Sequence, residues 1–311
     1  MVDKSAMYYM KEYKSNTFFH DLLLVGLDEK SRSDPWPLLY NSIKITGEKL
    51  ILCADNLRIT NKKIYNALLN MDPLPIVEMV RKCEKKGAHA IDINSGPLTK
   101  NPEKQMEFLV ETVQSVTDLP IIIDTANPKA IKAGLLANKK KAIINGFSLE
   151  PHKIESILPL SNEFEVDIIG YLLNPNGHVP SNAQERFTIA LELFEIINNF
   201  GIDTKRVIID PVLAPLMWNN GSFQAKEVLH VINNLSELLD HEVKTVVGLS
   251  NLAAGYFDHL KKQQVEAVYL PMLYSAGIDM VLLNIFNSNV VNIAKTCELI
   301  TSSKIFSWEE I

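Results

Sequence analysis

Short, nearly uninterrupted apolar runs alternate along this chain with longer stretches whose apolar residues return every three or four positions. The runs are KLILCADN (49–56), AHAIDIN (88–94), PIIIDTA (120–126), KAIINGF (141–147), VDIIGYLLN (166–174), RVIIDPVL (206–213), KTVVGLSN (244–251) and IDMVLLN (278–284). A strand covered on both faces reads as a continuous β-branched run, whereas a helix at the surface keeps its apolar residues on one side. PLPIVEMVRKCEKKG does the latter with Ile76, Val77, Val80 and Cys83, and EKQMEFLVETVQSV with Met106, Leu109, Val110 and Val113. Pro73, Pro102 and Pro128 precede or open three such stretches, where a missing N–H costs little. Eight strands, each followed by a helix, predict an α/β fold of the (β/α)8 TIM-barrel type over residues 48–311. A doubly wound sheet is the weaker alternative, since the glycine-rich first turn it uses is not found. Residues 1–47 fall outside the count and read as an N-terminal extension, with SDPWPLLYNSIKITGEK a candidate strand and turn plugging the barrel's N-terminal end.

The run PIIIDTAN poses a sharper question, because an acid stands at the end of three isoleucines. An isolated carboxylate is costly to bury, so Asp124 should sit where its strand leaves the core, facing water, a donor or a ligand. For one such residue the ordinary reading is a helix cap. The pattern recurs, however. Strand ends in order carry Asp55 and Asn56, Asp92 and Asn94, Asp124 and Asn127, Asn145, Asn174 and Asn176, Asp210, Asn251, and Asn284 with Asn287. In TIM barrels the active site is built at these C-terminal ends. A ring of short acceptors and amides suits a neutral, planar, donor-rich ligand such as a pterin, whose amino group and ring N–H can donate to a carboxylate. A hard cation is the rival, but none of the seven histidines ends a strand, and no bound metal is expected.

Composition narrows the partners. With 47% hydrophobic and 22% charged residues, the 311-residue chain can bury a sizeable core. Its net charge of -6 supplies no basic field for nucleic acid or anionic membrane. Cys53, Cys83 and Cys297 form no C-x-x-C pair and read as apolar fillers in a reducing compartment. The charged start MVDKSAMYYMKEYKSN lacks the core of a signal peptide, and no 18-residue apolar stretch exists, so a cytoplasmic location is expected. A serine-nucleophile elbow, a phosphate-binding loop and a zincin helix are all missing from the sequence, and the glutamates fall mostly in helical stretches.

AIDINSGP (90–97), IIIDTANPKAIKAGL (121–135), AIINGFSLE (142–150), IDPVLAP (209–215) and TVVGLSN (245–251) together resemble the methyltetrahydrofolate:corrinoid protein methyltransferases, pterin-binding barrels of the dihydropteroate-synthase type. The resemblance runs in order from about residue 49 to 300. It implies a homodimeric barrel in which Asp124, Asn145 and Asp210 hydrogen-bond the pterin, Asp92 lies at the pocket's edge, and Asn251 reaches N5 and its methyl group. It only suggests a part for Asp55 and Asn56. Methyltetrahydrofolate or tetrahydrofolate would be the substrate, and the corrinoid would arrive on a separate protein, since EPHKIE around His152 lacks the D-x-H-x-x-G pattern of cobalt ligation. Asn251 and Asp210 are the implied catalytic residues, with a helix cap as the alternative for Asn251. The chain departs from the family after GLSN, where LAAGYFDHLKKQQ lacks the usual glutamine and arginine and leaves His259, Lys261 or Lys262 as stand-ins. Two alternatives stay open: a non-catalytic pterin-binding subunit of a corrinoid assembly, and dihydropteroate synthase. For the latter, DINSGPLTKNP and VLLNIFNSNV lack the family's usual pyrophosphate loop and basic last-strand motif.

Overall fold

The computed structural model describes residues 49–96, 101–303 and 305–310. Expectations for the N-terminal extension lie outside them. Strand β1 (Ile51–Arg58) leads through helices α1 (Lys62–Asn70) and α2 (Leu74–Lys85) to β2 (Ala90–Asn94). Then follow α3 (Pro102–Gln114), β3 (Ile121–Asp124), α4 (Pro128–Ala137) and β4 (Ala142–Phe147). Two short helices, α5 (Pro151–Ser156) and α6 (Leu158–Glu163), precede β5 (Asp167–Tyr171). After these come α7 (Ala183–Asn199), β6 (Val207–Asp210), α8 (Gly221–Leu238), β7 (Lys244–Gly248), α9 (His259–Ala276), β8 (Met280–Leu283) and α10 (Ser288–Thr301). The strands pair in parallel in chain order, and β1 also pairs with β8, so the sheet closes into a (β/α)8 barrel.

Seven of the eight apolar runs found in the sequence contain a whole strand, and β1 begins in the first run and continues two residues past its end. The reason lies in the two apolar layers the strands separate. Alternate side chains on a strand point to opposite faces. Cys53, Ile122, Ile169, Ile208, Val246 and Met280 form one buried cluster inside the barrel. Their neighbours Ile91, Ile93, Ile121, Ile123, Ile144 and Ile209 join a second, with Ile76, Val80, Met106, Val110 and Ile131 from the surrounding helices. Burying each such side chain stabilises the fold by about 1.5–3 kcal/mol, which both layers require of a strand and neither requires of a loop.

Helix starts follow the local chemistry. Side-chain Oδ1 atoms accept at three of them: Asn61 from Lys63 N at 3.0 Å, Asn182 from Glu185 N at 2.9 Å, and Asp258 from Leu260 N at 3.0 Å. Each cap is worth about 1 kcal/mol. Pro73 stands just before α2, while Pro102 and Pro128 open α3 and α4. No described helix is long and apolar enough to cross a membrane.

Candidate active site

Alternation decides which side chains enter the barrel mouth. In β3, Ile121 and Ile123 face the helices and Ile122 faces the interior, so Asp124 also turns inward, one layer above Ile122. The same parity aims Asp92 above Ala90, Asn145 above Ile143, Tyr171 above Ile169, Asp210 above Ile208 and Asp55 above Cys53. These six line a cavity of about 190 Å³, together with Asn94, Arg58, Ser250, Asn251, Gly248 and Leu282.

Six of the seven residues expected from the sequence thus meet in one place: Asp55, Asp92, Asp124, Asn145, Asp210 and Asn251. Asn56 does not join them. Parity turns it out of the ring, where its amide donates to Asn284 Oδ1 at 2.6 Å and its carbonyl accepts from Ile285 N at 3.0 Å, tying β1 to the end of β8. Other strand-end amides serve as local caps. Asn127 accepts from Lys129 N and Ala130 N at the start of α4, Asn287 caps α10, and Asn176 accepts from His178 N in a turn. β5 ends three residues before Asn174, and that position at the mouth is filled by Tyr171.

Hydrogen bonds fix the ring. Asn94 Nδ2 donates to Asp124 Oδ2 at 2.5 Å, the Tyr171 hydroxyl donates to Asn145 Oδ1, and Ser250 Oγ donates to Asp55 Oδ2 at 3.1 Å. Asn145 is followed by Gly146 across a cis peptide, and a Cβ on Gly146 would meet Ile169 O at 2.2 Å, so only glycine lets β4 approach β5 this closely. Asp210 Oδ1 accepts from Val212 N at 2.8 Å, with Val212 in the left-handed region at φ 61. That unusual turn is held by Arg186 on α7, wholly buried, whose guanidinium donates to Pro211 O at 2.8 Å, Val212 O at 3.4 Å and Gln224 Oε1 at 2.8 Å.

The electrostatics are those of acids short of counter-charge. Burial pushes the Asp210 carboxyl up to about 7, against a smaller opposing pull from the Val212 N–H and Arg186. Burial likewise raises Asp124 to about 6, opposed by the Asn94 hydrogen bond. Asp92 is held well above the usual carboxylate range by burial first, then by Asp124 and Asp55. Asp55 is raised by burial despite Arg58 and Ser250. Asp55 Oδ1, Asp92 Oδ1 and Ser95 Oγ are buried with no hydrogen-bond partner among the described residues. Buried acceptors of this kind cost free energy until a donor arrives.

A consequence follows for the protein without ligand. A carboxyl whose folded pKa exceeds its unfolded value of about 3.9 binds its proton more tightly when folded. Its contribution is fully present below the unfolded value and is lost as pH rises through the folded value, here about 7 for Asp210. Asp210→Asn should therefore be more stable than wild type above pH 7, by about 1–3 kcal/mol, with the difference closing towards pH 4. Denaturant unfolding at several pH values measures this, and a pH-independent difference would contradict it.

Asn251 occupies a 3-10 turn, Leu249–Ala253, directly after β7. The cap reading does not describe it: the side chain that caps α9 is Asp258. Among the described residues the Asn251 amide has no hydrogen-bond partner, and it lies over Gly248, where a Cβ would come 3.0 Å from its Nδ2. His259, Lys261 and Lys262 stand in the first turn of α9 and do not line the cavity, with Lys261 Nζ donating to the Tyr256 hydroxyl at 3.4 Å. Among the described residues no cluster of histidine, cysteine and carboxylate is grouped to hold a metal ion.

Tyr171, Arg58 and Ser250 were not foreseen. Counting two-residue steps from the inward isoleucine of β5 would have found Tyr171, since Ile169 and Tyr171 share a face. Arg58 lies beyond the apolar run, on a strand that continues two residues past Asn56.

The sequence profile of pterin-binding enzymes matches residues 56–284. A methylcorrinoid:tetrahydrofolate methyltransferase from Eubacterium limosum is 23% identical over 208 residues, covering 66% of this chain and 75% of that protein. A methionine synthase from Mycobacterium leprae is 21% identical over 251 residues, 78% of this chain but only 21% of that much longer protein. Among solved structures, a dihydropteroate synthase from Xanthomonas albilineans with indole-2-carboxylic acid and 6-chloroguanine superposes with a TM-score of 0.60. It is 14% identical, and the match covers 83% of this chain and 95% of that one, a likeness of fold alone.

Proposed function

The chain belongs to the family of pterin-binding enzymes, and from that premise we propose that it moves a methyl group between N5 of methyltetrahydrofolate, or a related tetrahydropterin, and the cobalt of a corrinoid on a separate protein. One observation carries the reading: Asn251 presents a side-chain amide without a partner among the described residues, at the rim of a cavity whose floor is a ring of aspartates. The buried acceptors on Asp92 and Asp55 suit the amino and ring N–H groups of a pterin, and the Asn145 and Asn94 amides suit its carbonyl and ring nitrogens.

The docked corrinoid supplies the cobalt nucleophile that takes the methyl carbon. In this reading the corrinoid is held by its partner protein, and none of the described cavity-lining residues is a histidine. When the C–N bond breaks, its electron pair stays on N5, and an amine anion is a very poor leaving group. N5 must therefore gain a proton before or during transfer. Asp210, with its carboxyl near 7, holds a proton in a substantial fraction of molecules at neutral pH and can pass it through water. The Asn251 amide can turn to donate to, or accept from, N5 as its charge changes. The reverse direction, methyl transfer onto tetrahydrofolate, uses the same groups with the proton leaving N5 for Asp210.

A dihydropteroate synthase would instead join a dihydropterin diphosphate to p-aminobenzoate. The described cavity wall sets one cation, Arg58 at its rim, against four aspartates, which is little support for a departing diphosphate with its several negative charges. Supplying the enzyme with that pair and with 5-methyltetrahydrofolate in parallel tests the choice. Saturable binding of 5-methyltetrahydrofolate without dihydropteroate formation is expected; dihydropteroate formation would overturn the assignment.

A further inference from the structure

The cavity wall carries four carboxylates, but among its described residues it holds one fixed cation, Arg58. β1 runs on to this residue, which lies in register with Asn94 on β2 at the mouth. Its side chain is 40% exposed, far more than the 10% of Asp55 beside it, so the guanidinium stands at the rim. Its contact with Asp55 Oδ2 is a single 3.5 Å approach, and that oxygen already accepts from Ser250. A guanidinium has five N–H donors, and among the described residues those on Arg58 have only that one approach to Asp55. Among the described residues, Lys153 is already committed: its Nζ lies 2.5 Å from Glu150 Oε2 and over the Tyr171 ring.

A neutral bicycle on the aspartate ring gives this guanidinium nothing to pair with. An acidic group on a substituent that leaves the ring towards solvent does, and a guanidinium fork matches an oxyanion in two parallel hydrogen bonds. We propose that Arg58 forms an oxyanion subsite at the rim, which selects tetrahydropterins bearing an acidic tail over those without one. The inference rests on the pterin reading above and adds to it the residue that reads the tail. Carboxylate and phosphate share the required chemistry.

Wild type, Arg58→Gln and Arg58→Lys are titrated calorimetrically with three compounds. These are 5-methyltetrahydrofolate, a tail-less 5-methyltetrahydropterin, and a tetrahydropterin carrying a phosphate ester on its side chain. In Arg58→Gln, at least one acid-bearing ligand should lose affinity on the order of tenfold, while the tail-less ligand changes less than about twofold. Arg58→Lys should keep part of the preference, and the wild-type preference should shrink with added salt. Whichever acid loses more in Arg58→Gln is the source the subsite reads. Equal losses for tailed and tail-less ligands would place Arg58 in the service of Asp55 and overturn the subsite. No loss for either acid would overturn it as well. Failure of wild type to bind any of the three would remove the pterin reading and the subsite together, whereas tight but indiscriminate binding removes the subsite alone.

Discussion

Asp124→Ala should abolish pterin binding while the barrel stays folded. Asp124 is the inward end of a strand whose other residues are committed to packing, so the carboxylate adds little to the fold. Burial already holds it at about 6, evidence that the folded protein does not fully compensate its charge. One of its oxygens accepts the Asn94 amide at 2.5 Å, and the rest of its acceptor capacity faces the cavity. Two charge-assisted hydrogen bonds to a pterin are worth about 1.5–3 kcal/mol each, so their loss should weaken binding by about 10²–10⁴. Titration with 5-methyltetrahydrofolate, alongside circular dichroism and thermal unfolding, measures both halves of the expectation. Unchanged affinity in a folded Asp124→Ala protein would take Asp124 out of the site.

The barrel was legible in the sequence because both faces of each strand are buried. Runs such as PIIIDTA and RVIIDPVL leave no room for the polar alternation of a half-exposed sheet, and each contains its strand. The acids were legible for the same reason, since Asp124 and Asp210 each directly follow three consecutive β-branched apolar residues, Ile121 to Ile123 and Val207 to Ile209. What pattern alone did not separate was the inward side chain from its neighbour. Asp55 and Asn56 look equivalent as text, yet one residue of parity puts the first in the cavity and the second in a clasp with Asn284. Tyr171 escaped because LLN after it prolongs the apolar run past the end of β5. The part played by Arg186 rests on contacts with Pro211, Val212 and Gln224, 25 to 38 residues away, and no local pattern encodes them.

The second large effect concerns chemistry and spares affinity. Asn251→Ala removes an amide that makes no side-chain hydrogen bond among the described residues, so its loss should disturb the fold little. In the reaction proposed, that amide matters most while charge develops on N5. Removing one well-placed donor of this kind typically slows a reaction by about 10²–10³. The rate of methyl transfer should fall by that order while the dissociation constant for 5-methyltetrahydrofolate changes only a few fold. Equal losses in rate and binding would make Asn251 a uniform binding contact, and would contradict a role tied to N5. Asp210→Asn should also slow transfer, most of all below about pH 7, where the wild-type carboxyl carries the proton that N5 needs, with the difference shrinking as pH rises and wild type loses that proton too.

The most direct measurement mixes the purified chain, 5-methyltetrahydrofolate and chemically reduced cob(I)alamin under anaerobic conditions and follows the cobalt absorbance. The expected result is enzyme-dependent loss of the cob(I)alamin spectrum and growth of that of methylcobalamin, with tetrahydrofolate formed in equal amount. A chain that binds 5-methyltetrahydrofolate tightly yet yields no methylcobalamin, with free cob(I)alamin or with a corrinoid-loaded protein, would contradict methyl transfer and leave a pterin-binding subunit in its place.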